Sequence, residues 1–571
     1  MHLNMLHSQW ITLCFLGFSA ALTDETWSAP TADNPYEIPP GPNYLNVDRP
    51  NIIMFMPDQL RFDSVGAFGN RVIQTPNIDA FAKEATKFTN MFAQAPTCSQ
   101  SRCSMFTGQY PHVSGHRTLQ NLLKPWEPNV FRSMKEAGYH VAYLATRGDF
   151  YAENATELGV DEYGLLSENT LPPFSSHEQK FKPFNHIYNR LFYQGRRNAS
   201  DGLDYDELVT RGAIEWLENP PKKPWVLFLP LMFPHPPFRV EEPWFSLHNR
   251  SEMPLPHGIE QMTGHVPRFV PINNEEYGIG RATDEVWQEV IATYYGMISR
   301  VDWQFGRVVN QTKALGLWDS TVTLFFTDHG EFMGDYGLIE KWPSGVSDNL
   351  VHNPMIIGGA GLPQGVVFDE MAEMIDLVPT MLQLGQANQT YQQYGRSLVD
   401  SIHALGKGEP LLHRNYSFTE GGFLKGDQPL VGQSPWPYDI KTALQHEHIA
   451  LAGKALSLRS KEWTYVYRLY ESDELYSRQN DFHELHNLAA DPRYTRVRAE
   501  LRDVALDWLV GTPNIVPWYN NDRRPSPGEV PLELPKDQYQ DRVEDCDNCP
   551  NYTDVAAWPV ESDLAHRYFQ A

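Results

Sequence analysis

Four apolar segments of this chain each run directly into a short group of polar residues. The segments are residues 51–56, 140–145, 225–232 and 322–327, followed by a shorter one at 355–357. Runs that are apolar at successive positions predict strands buried on both faces, which are typical of parallel sheets. Helical patterns, such as those at 205–217 and 285–314, lie between them. This alternation predicts an α/β fold with a large, mostly parallel or mixed sheet flanked by helices.

The polar groups that end these strands are candidates for a binding site. They are residues 57–61, 147–149, 233–236 and 328–330. In open parallel sheets, ligands bind beyond the carboxyl ends of the strands, so we expect these groups to converge. Two of them supply adjacent oxygen and imidazole donors, namely Asp58, Gln59, Asp328 and His329. Such donors suit a divalent metal: oxygen ligands favour Ca²⁺ or Mg²⁺, and an imidazole favours Mn²⁺ or Zn²⁺.

A cysteine lies at the predicted start of a short helix. Residues 98–108 read CSQSRCSMFTG, with Arg102 one turn after Cys98 and Gly108 as the expected helix end. A helix N-terminus presents free N–H groups and partial positive charge. A nucleophile at this position, with an arginine one turn on, suits attack on an anionic ester. A buried structural cysteine beside a surface arginine is the alternative interpretation.

The same stretch resembles the signature of the type I sulfatases, members of the alkaline phosphatase superfamily. That signature is Cys-x-Pro-x-Arg followed by Thr-Gly, and here Cys98, Arg102 and Thr107-Gly108 match it, whereas Gln100 replaces the proline. The resemblance covers roughly residues 49–520. It implies an alkaline-phosphatase-like sheet and hydrolysis of a sulfate ester to an alcohol and inorganic sulfate. The nucleophile would be a metal-bound formylglycine hydrate, made from Cys98 by a formylglycine-generating enzyme.

The resemblance also implies roles for individual residues. The metal ligands would be Asp58, Gln59, Asp328, His329 and the modified Cys98, with Ca²⁺ as the default ion and Mn²⁺ as the alternative. Arg102 would bind the oxyanions. His235 would face the sulfate or its leaving oxygen, and Lys341 would bridge the nucleophile and the sulfate. Arg147 and Asp149 occupy the place of the family's Gly-Lys-x-His or Gly-Lys-Asn-Asp motif.

The pattern along the chain predicts five segments. They are a signal peptide (1–21), an extended leader (22–48), a catalytic domain (49–400), a smaller C-terminal α+β subdomain (401–520) and a Pro- and Asp-rich tail (521–571). In the catalytic domain, Thr75 and Pro76 predict a helix start, and the helical spacing continues to Phe88. Residues 236–273, rich in Pro and His, are predicted to form a long loop over the site. In the subdomain, residues 450–457 and 462–468 predict strands, and 485–509 predict a helix.

Charge and cysteine content limit the partners and the compartment. The 571 residues carry 46 Lys and Arg against 71 Asp and Glu, a net charge of −25, which argues against nucleic acid as a partner. The apolar run near the N-terminus is too short for a membrane span, so we expect a cleaved signal, an uncleaved anchor being the alternative. Cys546 and Cys549 would form a disulfide in an oxidising compartment. Seven Asn-x-Ser/Thr sequons fit a secreted glycoprotein.

Two alternatives to a secreted sulfatase remain open. One is a phosphonate or phosphate ester hydrolase on the same scaffold, since Asp-Gln and Asp-His pairs resemble those of phosphonate monoester hydrolases. The other is a non-catalytic secreted binding protein in which Cys98 stays unmodified. The predicted substrate is a small-molecule or saccharide sulfate ester.

Overall fold

The four predicted strands lie side by side at the centre of one sheet. The fold comes from a computed structural model, which describes residues 37–145, 149–164, 186–198, 202–411, 413–424, 426–427, 437–513 and 515. These belong to one compact unit, residues 1–516, and a second unit, residues 517–571, lies outside the described residues. The predicted signal peptide, tail and Cys546–Cys549 disulfide also lie outside them.

The strands of the described residues have the following bounds: β1 (Asn51–Asp58), β2 (Ala85–Phe88), β3 (Met91–Phe92), β4 (His140–Tyr143), β5 (Glu162–Tyr163), β6 (Tyr193–Arg196), β7 (Trp225–Pro234), β8 (Phe238–Val240), β9 (Thr321–Phe326), β10 (Met355–Gly359), β11 (Val366–Phe368), β12 (Ala372–Glu373), β13 (Ser417–Gly421), β14 (Ala455–Arg459), β15 (Trp463–Arg468) and β16 (Glu474–Ser477).

The helices have these bounds: α1 (Pro76–Lys83), α2 (Cys98–Thr107), α3 (Pro111–Ser114), α4 (Val130–Glu136), α5 (Thr156–Gly159), α6 (Ile187–Arg190), α7 (Tyr205–Glu218), α8 (Trp244–Leu247), α9 (Phe269–Tyr277), α10 (Asp284–Ala314), α11 (Asp348–Val351), α12 (Leu377–Leu384), α13 (Val399–Gly406), α14 (Asp439–Glu447) and α15 (Thr495–Gly511).

The main sheet has eight strands in the order β11-β2-β10-β9-β1-β7-β4-β5. Strand β10 pairs antiparallel with both of its neighbours, and the other pairs in the sheet are parallel. The predicted α/β fold with a mostly parallel sheet is therefore confirmed. The adjacent order β9-β1-β7-β4 places the carboxyl ends of all four predicted strands at one edge.

Aromatic side chains join helices to both faces of this sheet. On one face, Phe55 of β1 packs edge-on against Phe305 of α10, with ring centroids 5.2 Å apart. On the other face, Phe228 of β7 packs against Phe106 of α2 and Phe131 of α4 at 5.4 and 5.2 Å. Phe228 is in register with Met54, the residue before Phe55. Because successive side chains of a strand point to opposite faces, Phe55 and Phe228 lie on opposite faces of the sheet. The result is a three-layer domain whose core lies on both faces of the sheet.

A smaller α+β unit follows, as predicted. Strands β13 to β16 form an antiparallel sheet, and α15 packs on it. Trp508 of α15 stacks on Phe418 of β13 at 4.5 Å and also meets Tyr110, just after α2, edge-on at 4.8 Å. This sheet is therefore packed against the segment that follows the predicted nucleophile helix.

Four local predictions were wrong. The strand predicted at 450–457 begins at Ala455, because residues 449–452 form a turn of 3₁₀-helix. The helix that starts at Pro76 ends at Lys83, and residues up to Phe88 form β2, because this segment pairs between β10 and β11. The predicted long loop 236–273 contains β8, α8 and the start of α9, since β8 pairs with β6. The C-terminal helix starts at Thr495, because Pro492 begins a separate short turn of 3₁₀-helix.

Within the described residues, none of the helices has both the length and the apolar character that a bilayer span requires.

We expect Phe55→Ala to lower the free energy of unfolding by about 3–5 kcal/mol, because it leaves a cavity between the sheet and α10. Leu506→Ala is the control: this side chain is 58% exposed on α15, and its loss should change stability by less than about 0.5 kcal/mol. Urea-induced unfolding of both variants measures the difference. Equal effects would contradict the packing described for β1.

Candidate active site

The carboxyl edge of the four central strands gathers most of the predicted site residues. Asp58 ends β1, Asp328 and His329 follow β9, and His235 follows β7. Asp149 follows β4, whereas Arg147 lies outside the described residues. Asp58, Gln59, Asp328 and His329 are completely buried. The side chains converge at this edge because β9, β1, β7 and β4 are neighbours in the sheet. No local pattern in the sequence specifies that strand order.

Helix α2 brings Cys98 to the same edge. Thr97 is the N-cap residue, with extended backbone, and Gly108 ends the helix with φ of 71°. The Cys98 sulfur lies 3.0 Å from Nε2 of His329 and 3.6 Å from Oδ1 of Asp58. Cys103, five residues on, has its sulfur near the backbone oxygens of Asn121 and Phe150. The geometry thus distinguishes the two cysteines.

Gln100, which replaces the family's proline, stabilises the start of α2. Its Oε1 accepts a hydrogen bond from the Thr97 hydroxyl, and its Nε2 donates to the carbonyl of Arg117 at 2.9 Å. The side chain therefore ties the N-cap residue to the loop after α3. Hydrogen bonds of Gln100 therefore hold the first turn of α2, which carries Cys98. In the family signature a proline at this position restricts the backbone instead.

Arg102 is the electrostatic centre of the site. Its Nη2 lies 2.8 Å from Asp58, its Nε 2.8 Å from Asp328, and its Nη1 3.5 Å from Asp149. The guanidinium is 2% exposed, so water screens these contacts little. Burial alone would raise the pKa of Asp328, but His329 and Arg102 bring it well below its usual range. The carboxylate is thus ionised although it is buried.

His329 presents one defined nitrogen to Cys98. Its Nδ1 lies 2.9 Å from the carbonyl oxygen of Gly330, which can only accept a hydrogen bond. Nδ1 therefore carries the proton, and Nε2 directs its lone pair toward Cys98. Burial lowers the pKa of His329 to about 4, so the ring is neutral near pH 7. A neutral imidazole is the form that binds metal ions.

These side chains fit a divalent cation. One ligand atom from each of Asp58, Cys98, Asp328 and His329 falls within a group whose members all lie within 4.8 Å of one another. Two carboxylates, a neutral imidazole and the residue-98 side chain form a donor set for a borderline or hard metal.

Gln59 lies beside this group with its amide held in one orientation. Its backbone has a φ of 67°, and its N–H donates to Asp328 Oδ1 at 3.1 Å. Lys341 Nζ donates to the amide oxygen at 2.6 Å, and the amide nitrogen donates to Glu331. The structure therefore brings Lys341 into the site through Gln59. The role of Gln59 as a metal ligand stays a prediction.

A cleft of about 1110 Å³, its open mouth included, leads from the solvent to Cys98. The nucleophile helix forms one wall, and residues from beyond position 400 form another. The lining residues are Thr97, Cys98, Ser99, Gln100, Leu119, Asp149, His235, Glu340, Lys341, Pro343, Phe423, Tyr438, Lys441 and Gln445. His235 and Lys341 thus share a cleft with Cys98, as their predicted roles require.

The sequence analysis missed three charged residues near the site: Glu331, Glu340 and Lys441. Glu331 and Glu340 are buried and lie within the loop between Asp328 and Lys341. Burial and the nearby Glu340 raise the pKa of Glu331 to about 7. Proximity in sequence to Gly330 and Lys341 was an available signal for the two glutamates. Lys441 lies 100 positions after Lys341, and no signal in the sequence connected it to the site.

Comparisons with known proteins agree with this geometry. A model of the sulfatase family matches residues 50–387, more than half of the chain. Arylsulfatase K of Danio rerio is 24% identical over 400 residues, which are 66% of this chain and 72% of that protein.

Solved structures show the same fold. The phosphonate monoester hydrolase of Agrobacterium radiobacter superposes with a TM-score of 0.65 and 23% identity, over 81% of this chain and 96% of that one. A protein solved in complex with its substrate D-glucosamine-2-N,6-O-disulfate gives a TM-score of 0.64 and 18% identity, over 81% and 98% of the two chains.

We expect Arg102→Met to lower the free energy of unfolding in the presence of a chelator by about 3–5 kcal/mol, because Asp58 and Asp328 lose their buried counter-charge. Arg132→Met, which removes a partly exposed pair with Glu136, should cost less than about 1 kcal/mol. Urea-induced unfolding of both variants is the measurement. Wild-type stability of Arg102→Met in chelator would contradict the central role of Arg102.

Proposed function

The chain belongs to the sulfatase family, and we propose that it hydrolyses a sulfate monoester with a formylglycine made from Cys98. As a family member the protein is a sulfuric ester hydrolase. The observation that carries the specific proposal is the contact of Cys98 with Asp58 and His329, beside the buried guanidinium of Arg102. Cys103 makes no such contact among the interactions recorded for the described residues.

A divalent cation would be held by Asp58, Asp328, His329 and residue 98, with Gln59 as the further predicted ligand. Ca²⁺ is the default ion and Mn²⁺ the alternative, because His329 contributes a nitrogen donor. When bound, the cation supplies Lewis-acid polarisation of the ester oxygens, and the hydrated aldehyde supplies an oxygen nucleophile.

The chain's own residues bind and orient the ester. Arg102 and Lys341 supply positive charge for the sulfate oxygens, where charge builds up during the reaction. The Nδ1 of His235 lies 2.6 Å from the carbonyl of Pro236, so Nδ1 carries a proton and Nε2 is the nitrogen that exchanges one. We assign to Nε2 the delivery of a proton to the leaving oxygen. Asp149 orients Arg102, and Arg147 would add to the positive charge around the sulfate.

We propose a small-molecule or saccharide sulfate ester as the substrate. The cleft lining includes the aromatic rings of Phe423 and Tyr438 and the amide of Gln445, a combination that suits a sugar-like alcohol group. One protein of the same fold was solved with a sulfated glucosamine as its substrate. The fold alone does not carry that substrate over to this chain.

The remaining proposals concern processing and location. A formylglycine-generating enzyme would modify Cys98 before or during folding, since Cys98 is 3% exposed in the folded chain. The signal-like start and the sequons favour a glycosylated protein that is secreted or held in the lumen of the secretory pathway. The catalytic domain would cover residues 49–400 and the C-terminal subdomain 401–520.

A phosphonate monoester hydrolase is the second candidate. The Asp58-Gln59 and Asp328-His329 pairs favour it, and a phosphonate monoester hydrolase shares the fold. An aryl sulfate and a phenylphosphonate monoester, assayed side by side on protein that carries the aldehyde, separate the two functions. Turnover of the phosphonate with negligible turnover of the sulfate would assign the protein to the second class.

We expect Cys98→Ala to abolish hydrolysis of an aryl sulfate, because it removes the formylglycine precursor. Cys103→Ala is the matched control and should keep most of the rate, since Cys103 faces backbone oxygens away from the cluster. Mass spectrometry of the peptide that spans residue 98 reports the aldehyde in the wild type and in Cys103→Ala. A folded Cys98→Ala variant with near-normal rates would refute the mechanism.

We expect Asp58→Ala and Asp328→Ala to lose the bound divalent cation, because each removes a buried carboxylate of the candidate metal site. Elemental analysis of the purified proteins measures the loss. Asp149→Ala is the control: it also removes a carboxylate near Arg102, but Asp149 lies outside the ligand group. Full metal content in folded Asp58→Ala and Asp328→Ala proteins would disprove the ligand assignment.

A further inference from the structure

One buried carboxylate near the active site has two lysines as partners. Glu340 Oε1 lies 2.7 Å from Lys341 Nζ, and Glu340 Oε2 contacts Lys441 Nζ. The side chain of Glu340 is 1% exposed, and both lysines are buried as well. Burial alone would raise the pKa of Glu340, but Lys341 and Lys441 bring it well below its usual range. The group therefore contains one carboxylate and two ammonium groups; burial lowers the pKa of Lys441, and the contact with Glu340 opposes that shift.

The backbone fixes the carboxylate between the two lysines. Glu340 has a φ of 65°, and its N–H donates to the buried carboxylate of Glu331. Its Oε2 also accepts the backbone N–H of Lys341 at 2.7 Å. Because Glu340 is held at both its backbone and its side chain, it cannot turn away from either lysine without breaking several contacts.

The two lysines come from distant parts of the chain. Lys341 lies in the loop after β9 and donates to Gln59, beside the metal-ligand group. Lys441 lies on α14, which belongs to the C-terminal part of the chain. Both line the cleft that leads to Cys98. The ammonium group of Lys441 thus contacts Glu340, the carboxylate that also pairs with Lys341, a predicted catalytic residue.

One carboxylate compensates one ammonium group. If Glu340 had Lys341 as its only partner, the pair would be neutral and would attract an anionic sulfate group weakly. With Lys441 on the other oxygen, the group keeps a net positive charge in a site where water screens little. The excess charge is then available to an anion that reaches Lys341.

We propose that Lys441 is a positioning residue of the sulfatase reaction: it compensates Glu340, so that Lys341 keeps its charge for the sulfate group. This inference rests on the proposed function. It also implies that the active site of this chain is incomplete without α14.

A double-mutant cycle tests the proposal. Lys441→Met removes the charge, Lys441→Arg keeps it, and Glu340→Gln removes the carboxylate that Lys441 compensates. Isothermal titration with inorganic sulfate and aryl sulfate kinetics are measured for each variant and for Lys441→Met/Glu340→Gln. Lys454→Met is the matched control, since Lys454 pairs with Asp427 at a partly exposed position in the same part of the chain.

We expect Lys441→Met to weaken sulfate binding and to lower kcat about tenfold, and the same change in the Glu340→Gln background to have less than about a threefold effect. Lys441→Arg should retain most of the sulfate affinity and most of kcat, and Lys454→Met should match the wild type in both quantities. Glu340→Gln by itself should tighten sulfate binding, which keeps the proposal testable if Lys441→Met fails to fold.

Two results would overturn the proposal. A loss of equal size in both backgrounds would mean that Lys441 contacts the substrate directly or only supports the fold. No loss in the wild-type background, or weaker sulfate binding by Glu340→Gln, would show that Glu340 does not restrain Lys341. Sulfate titration needs no turnover, so an inactive wild-type protein would count against the proposed function and leave the cycle readable.

Discussion

The contact of Arg102 with Asp58 and Asp328 is the interaction on which the rest of the site depends. Two carboxylates at the ends of neighbouring strands would repel each other in a buried environment, and a single guanidinium spans both of them. Arg102 reaches them because α2 starts directly at the strand edge, and the same helix start places Cys98 against His329. The arginine therefore fixes the position of Cys98, the proposed nucleophile precursor, relative to Asp58 and Asp328.

The second constraint is the packing of the C-terminal sheet against the catalytic domain. Trp508 of α15 contacts both Phe418 and Tyr110, so the end of the α2 segment rests on this sheet. Arg459 of β14 is completely buried and lies 2.6 Å from Asp348 of α11. The same part of the chain supplies Phe423, Tyr438 and Lys441 to the cleft. The C-terminal part of the described chain thus lines the part of the cleft that would receive the alcohol group, while the edge of the main sheet carries the proposed reacting groups.

Much of the central sheet could be predicted because each of its strands carries its own signal. The four apolar runs are buried on both faces, and a segment with this environment reads as apolar whatever its neighbours are. The end of the helix that starts at Cys98 was predictable for a similar local reason: Gly108 readily adopts the positive φ with which a helix commonly ends. The prediction failed where tertiary pairing overrides local preference. Residues 85–88 have helical spacing, yet they form strand β2 because they pair with β10 on one side and with β11 on the other.

The sequence by itself determined the strands, the nucleophile helix, and the residue types from which a metal-binding anionic-ester site can be made. The tertiary structure decided which of these meet. The order β9-β1-β7-β4 brings the four polar groups to one edge, and no local pattern specifies strand order. The partners of Gln59, Glu340 and Lys441 likewise follow from the fold, because contacts between residues about 100 or more positions apart leave no periodicity in the chain. The sequence specifies which chemical groups are available, whereas the pairing of buried charges around them arises only when distant segments pack together.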